Sequence, residues 1–197
     1  MNIKMKDEIA KYILQFGKLN DSELQTLVHS INYKHFEKGT FLLREGEFSE
    51  NCYYVLKGCV RQFHIDKQGK EKTTEFYTEN YSISPLNNYS AQFPSKINLE
   101  CIEDSILTIS NPSIEKEMYD EFPELKTITH KMMEQDFAEL QNKYVNFISS
   151  SPEQRYLNLL NKRPYLFQRA PSYQIASYLG ITPESLSRIK SRVIKKR

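Results

Sequence analysis

Near the carboxyl end of this 197-residue chain, Glu184 and Arg188 stand one helical turn apart, with Ser187 beside them. Residues four apart share one side of a helix. On an exposed helix, the guanidinium can bridge O6 and N7 of a guanine, and the carboxylate can accept from the amino group of a cytosine. That is the chemistry of base edges in a major groove. Leu186, Ile189 and Val193 fall on one face, and Glu184, Arg188, Ser191 and Lys195 on the opposite one. Ser185, Lys190, Ser191, Arg192 and Lys195, followed by Lys196 and Arg197, suit the phosphate backbone, where contacts add salt-dependent affinity without choosing a sequence. The alternative is a solvated face on a structural helical hairpin.

The preceding residues supply the means to position such a helix. Ser172 is a candidate cap for a short helix that turns Ile175, Ala176 and Leu179 inward, and the small Ala176 admits a second helix crossing closely. Gly180 allows the left-handed backbone of a tight turn. Thr182-Pro183-Glu184 then restarts a helix with a capping hydroxyl, a first-position proline and an acid at the positive end of the dipole. The pattern is a helix-turn-helix. Charge agrees: residues 151–197 hold ten Lys/Arg against two acids, a net +8, so the first 150 residues carry −6 within the overall +2. A basic quarter on an acidic body points to a polyanion partner.

Farther upstream the periodicity divides the chain. Up to about residue 32 it is helical, with Asn20 and Glu23 spaced as a capping box. From Tyr33 to Ile109 short β-branched and aromatic stretches alternate with turn signals at Gly39, Gly46, Gly58 and Asp66 to Gly69, which predicts an antiparallel roll or barrel. Asn111-Pro112 restarts helix, and a long helix follows Pro123. Along it Met133, Phe137, Leu140, Tyr144 and Phe147 recur at near-heptad spacing, a seam for a second copy of the helix or for the protein's own barrel. Ser149 to Pro152 breaks that helix, and Ser151 with Gln154 caps the next, in which Leu157, Leu159 and Leu160 seed a small core. The fold class is therefore α+β: a jelly-roll-like antiparallel β-roll with flanking helices (1–123), a long helix (124–148) and a helix-turn-helix unit (149–197).

Other chemistries find little support. Cys52, Cys59 and Cys101 are isolated, too few for a four-thiolate cluster, and are expected to be buried structural thiols. His29, His35, His64 and His130 lack the close spacing of a metal site, so a small jelly-roll metalloenzyme is the weaker alternative, as is a ligand-binding or interaction module without specific DNA recognition. No phosphate-binding glycine loop or nucleophile elbow occurs, and neither catalytic residues, metal nor cofactor is assigned. No apolar run approaches the roughly 20 residues of a membrane span, and the charged start lacks a signal peptide's apolar core, which places the protein in the cytoplasm.

Glu184-Ser185-Leu186-Ser187-Arg188, preceded by Gln174 to Gly180, matches the E-x-x-S-R recognition pattern, and over almost its whole length the chain resembles the Crp/Fnr superfamily of bacterial transcription regulators. The resemblance implies a cyclic-nucleotide-binding-type β-roll between Gly39 and Gly69. It also implies a homodimer through the 133–147 seam, double-stranded DNA as partner, RNA polymerase as a candidate further partner, and base reading by Glu184, Ser187 and Arg188. Two departures stand out. The stretch from Glu79 to Asn98 has no arginine near Ser95 and no Gly-Glu pair before it, so cyclic AMP is not the expected ligand; Lys96 offers only a point charge. The family's β-hairpin wing is missing after the recognition helix, so any wing strands would have to precede the helix-turn-helix.

Overall fold

The computed structural model describes residues 3–84 and 93–195. Two helices open it, α1 (Ile3–Leu14) and α2 (Asp21–Ser30). The expected capping box forms at α2: Asn20 Oδ1 accepts from the Glu23 amide and Glu23 Oε2 from the Asn20 amide, each at 2.9 Å. Eight strands follow: β1 (Tyr33–Phe36), β2 (Phe41–Leu43), β3 (Cys52–Lys57), β4 (Val60–Ile65), β5 (Glu71–Tyr77), β6 (Ser82–Ile83), β7 (Asn98–Cys101) and β8 (Ser105–Ser110). They form two antiparallel four-stranded sheets, ordered β1-β8-β3-β6 and β2-β7-β4-β5. Alternation aims Leu43, Val55, Val60, Ile83, Leu99, Cys101 and Leu107 into one apolar cluster, the core of the expected roll.

Each sheet also buries part of its outer face. On the first, Tyr54, Leu56 and Ile106 meet α1, α2 and the start of α4 through Ile9, Ile13, Leu27, Val28, Leu125 and Ile128. On the second, Cys59, Phe76 and Ile102 join a cluster whose other members all belong to the C-terminal helices. Arg61 is buried on this sheet too: Nε donates to Thr73 Oγ1 at 2.9 Å, Nη1 to Glu71 Oε2 at 2.6 Å, and the guanidinium lies over the Phe63 ring. A charge so enclosed persists because its donors are taken up.

Helices α3 (Pro112–Glu121) and α4 (Glu124–Ser149) come next, α3 starting where Asn111 accepts from the Ile114 amide with proline at the first position. The chain continues into α5 (Pro152–Lys162), α6 (Leu166–Arg169), α7 (Ser172–Tyr178) and α8 (Pro183–Lys195). The second capping box also forms, between Ser151 and Gln154. Leu159 is buried as expected, whereas Leu157 and Leu160 are only partly so; Tyr156, which the leucine pattern overlooked, completes the face. Among the described residues the chain from 150 to 195 contains helices and connections but no strand, so the helix-turn-helix is preceded by the short α6 rather than by wing strands.

Cys52, Cys59 and Cys101 are all buried. Burial pushes the Cys59 thiol up to about 12 and the Cys101 thiol to about 11, so neither forms a thiolate near neutrality. A thiol reagent such as dithiobis-nitrobenzoate is expected to react slowly with the native chain and with three equivalents rapidly after unfolding in guanidinium. Rapid native reaction of Cys59 or Cys101, located by mass spectrometry, would contradict this packing.

Candidate nucleic-acid interface

The turn between α7 and α8 has the form the glycine requires. Gly180 adopts φ +68°, its amide donates to Ser177 O, and the Ile181 amide reaches Ala176 O at 3.0 Å. This paired closure of a helix end satisfies carbonyls the helix leaves open. Ile175 and Ala176 of α7, with Leu179 just beyond its end, face Leu186, Ile189 and Val193 of α8, all buried in one cluster. At the other end of α7 the expected cap is absent: Ser172 is already inside the helix, Pro171 occupies the cap position, and no side chain caps there.

Helix α8 begins as read. The Ser185 amide donates to Thr182 Oγ1 at 3.3 Å, with Pro183 in the first turn. Glu184, Ser187, Arg188, Ser191, Arg192 and Lys195 are exposed, and Ser185 and Lys190 partly so. Arg188 Nη2 lies 3.4 Å from Ser185 Oγ, which leaves the guanidinium tethered lightly and open to solvent. The Glu184 carboxyl is held below its ordinary range first by its own backbone amide, then by the Thr182 hydroxyl, and also by Arg188. It is an acceptor at neutral pH. Tyr173 and Ile194, which the motif did not single out, are exposed on the same unit.

The basic excess is less available than the charge count implied. Arg163 and Arg169 are spent on carboxylates of the roll, and Arg155 donates to Phe147 O and lies over the Phe147 ring. Arg192 pairs with Glu153 at 3.4 Å, and Lys190 lies over the Phe167 ring at 5.5 Å, so both of these expected backbone contacts have partners within the chain. Lys196 and Arg197 lie outside the described residues.

Contacts with β5 and its neighbouring loops fix the unit's place. Ser177 Oγ accepts from the Thr73 amide at 2.9 Å, and Tyr178 meets Phe76 edge to face. Arg163 donates from Nη1 to Glu75 Oε1 at 3.0 Å and from Nη2 to Phe76 O. Burial works against its charge, but the Glu75 carboxylate together with Tyr81, Tyr178 and Tyr165 outweighs burial and holds the guanidinium above its ordinary value. Arg169 grips Glu79 with two bonds at 2.7 and 2.9 Å and reaches Glu103 as well. Burial would raise the Glu79 carboxyl, but Arg169 and the Gly58 amide more than offset it and lower its value. None of these partners was legible in the helix-turn-helix motif.

On α4 the five seam residues Met133, Phe137, Leu140, Tyr144 and Phe147 remain exposed, between 43% and 66%. Val145 and Ile148 widen the stripe. The alternative of burial on the protein's own roll does not apply to its middle. Phe147, however, already touches the same chain: a Cβ on Gly180 would come 2.9 Å from its ring. The four histidines are dispersed over α2, β1, β4 and α4, and among the described residues no three of His, Cys, Asp and Glu group to hold a metal ion.

Comparison with known proteins agrees with this architecture. Residues 33–113, the whole roll, match the cyclic nucleotide-binding domain. The anaerobic regulatory protein of Bacillus subtilis (strain 168) is 28% identical over 102 residues, which are 51% of this chain and 43% of that protein, so the match spans less than half the relative's length. Among solved structures, the c-di-GMP-responsive global regulator CLP of Xanthomonas campestris superposes with a TM-score of 0.67 at 12% identity, covering 90% of this chain and 93% of that one. FixK2 of Bradyrhizobium japonicum gives 0.65 at 18%, covering 84% and 85%.

Substituting Gly180→Ala tests the turn. A left-handed non-glycine residue costs roughly 1–2 kcal/mol, and the added methyl must also displace Phe147. The expected result is a clear fall in the thermal midpoint by circular dichroism, and an unchanged midpoint would contradict the geometry. The roll therefore matches the cyclic nucleotide-binding domain, and over most of its length the chain shares the fold of these solved regulators.

Proposed function

We propose that this protein is a homodimeric, sequence-specific DNA-binding transcription regulator that works in the cytoplasm. The observation that carries the reading is the two-sidedness of α8: Leu186, Ile189 and Val193 anchor it, while Glu184, Ser187 and Arg188 face solvent at its amino end. A helix so held enters a major groove with those three side chains at base edges. Ser185, Lys190, Ser191, Arg192 and Lys195 then flank it as backbone contacts, with Arg192 exchanging Glu153 for phosphate. The apolar stripe of α4 supports pairing of two copies along residues 133–147, since an exposed row of that size is unusual on a monomer. Under this reading residues 1–123, 124–148 and 149–197 act as sensor-type roll, dimer helix and reading head, and RNA polymerase is a candidate partner of the assembled complex.

An Arg188→Ala variant is expected to lose discrimination between a selected operator and random duplex by a factor of about ten to a hundred or more, as for the loss of one bidentate base contact. Lys195→Ala should instead weaken both duplexes alike and flatten the salt dependence. Fluorescence anisotropy on the two duplexes measures this. Equal retention of specific and random DNA by the unaltered chain would favour a module without sequence choice.

Cyclic AMP is not the physiological ligand in this reading. Ser95 is buried with its hydroxyl donating to Ile97 O at 2.8 Å and accepting from the Ile97 amide at 3.1 Å, and Lys96 is exposed. The Ser95 hydroxyl is taken up by its own loop and Lys96 offers only a point charge, so neither supplies the bidentate clamp a cyclic phosphate needs. Titration calorimetry is expected to give no saturable heat at micromolar cyclic AMP, and a micromolar dissociation constant would contradict the assignment.

A further inference from the structure

Glu75 on β5 is where three parts of the chain converge. Its side chain is only 12% exposed. Oε2 accepts from Lys143 Nζ of α4 at 3.1 Å, and Oε1 accepts from Arg163 Nη1, just beyond α5, at 3.0 Å. Tyr178 of α7 places its hydroxyl 3.4 Å from the same oxygen, and the Phe76 amide donates at 2.9 Å. Lys143 and Arg163 also lie over the Tyr81 ring, at 5.3 and 5.0 Å. One carboxylate on the roll is therefore bonded at once to α4, which bears the apolar stripe, and to the unit that bears α8.

We infer that Glu75 is a positioning residue that sets the distance and rotation of α8 relative to α4, and with them the half-site spacing the dimer accepts. The inference rests on the DNA-reading function proposed above and adds how that function is given its geometry. A dimer reads two half-sites about one helical turn apart, and adding one base pair moves a half-site by about 3.4 Å and rotates it by about 35°. A rigid link between α4 and α8 rejects such a shift, whereas a loosened one follows it. Glu75 accepts four donors, three of them from outside its own strand, in a nearly dry site where such bonds are geometrically exacting. Its loss frees both Lys143 and Arg163, whereas Lys143→Met frees α4 alone and, at a partly exposed lysine, leaves the folded core in place.

The test uses the full chain and three duplexes that carry the half-site it selects, at the preferred spacing and with one base pair added or removed, together with a duplex bearing one half-site. The unaltered chain is expected to prefer one spacing by about tenfold or more, the effect of a single misplaced base contact. Glu75→Gln and Lys143→Met should each reduce that preference to within about threefold while binding the single half-site as before. A uniform loss at every spacing, or an unchanged preference in both variants, would overturn the inference. If the unaltered chain recognises its half-site but shows no spacing preference, the inference fails while DNA reading stands; if it recognises no half-site, both fail.

Discussion

A helical unit of about 45 residues cannot bury enough apolar surface to stand firmly alone, and this chain meets the shortage by sharing a core between that unit and the roll. Phe76, fully buried between β5 and α7, contributes about 1.5–3 kcal/mol by the usual measure of side-chain burial. Cys59 and Ile102 extend the same cluster. Around it the charges are matched: Glu75 with Arg163 and Lys143, Glu79 and Glu103 with Arg169. Removing one member of a buried pair typically costs about 3–5 kcal/mol because the other charge is left without compensation. The Glu75–Arg163 pair, the one buried on both sides, therefore penalises any other docking of the two parts more than it adds net stability.

That arrangement gives the order of roll, α4 and C-terminal helices a mechanical meaning in this protein. The roll does not hang beside the C-terminal helices; its second sheet forms the floor on which they stand, and α4 is tied to the same floor by Lys143 and to the turn of the helix pair by Phe147 against Gly180. Under the proposed function, a small molecule would alter DNA binding only by favouring one arrangement of roll, α4 and α8 over another, in proportion to its difference in affinity for the two.

What was legible in the sequence was local. The capping boxes at Asn20 and Ser151, the proline starts at Pro112 and Pro183, and the turn at Gly180 each depend on residues within a few positions, and all form. The heptad-like row on α4 was legible because an unsatisfied apolar stripe keeps its period. What escaped notice depends on partners far along the chain. Glu75 and Arg163 are 88 residues apart, and Arg169 and Glu79 are 90 apart, so each looked like one more surface charge. For the same reason Arg163 and Arg169 were counted toward a polyanion site that they do not serve. Phe76 and Arg61 sit on a strand face that alternation alone would leave to solvent, and only the helices packed there bury Phe76. Ser172 misled because a serine before a helix is equally at home as its first residue.

The relation between the two α8 helices of the proposed dimer can be measured by pulsed electron spin resonance. A Ser191→Cys variant labelled with a nitroxide suits this, since Ser191 is exposed while the native thiols are buried. The account predicts one narrow distance distribution centred near ~34 Å, the separation of successive major-groove entries on one side of the duplex. An absent dipolar signal, or a broad distribution without a peak, would contradict a dimer whose reading heads are held in place by the roll.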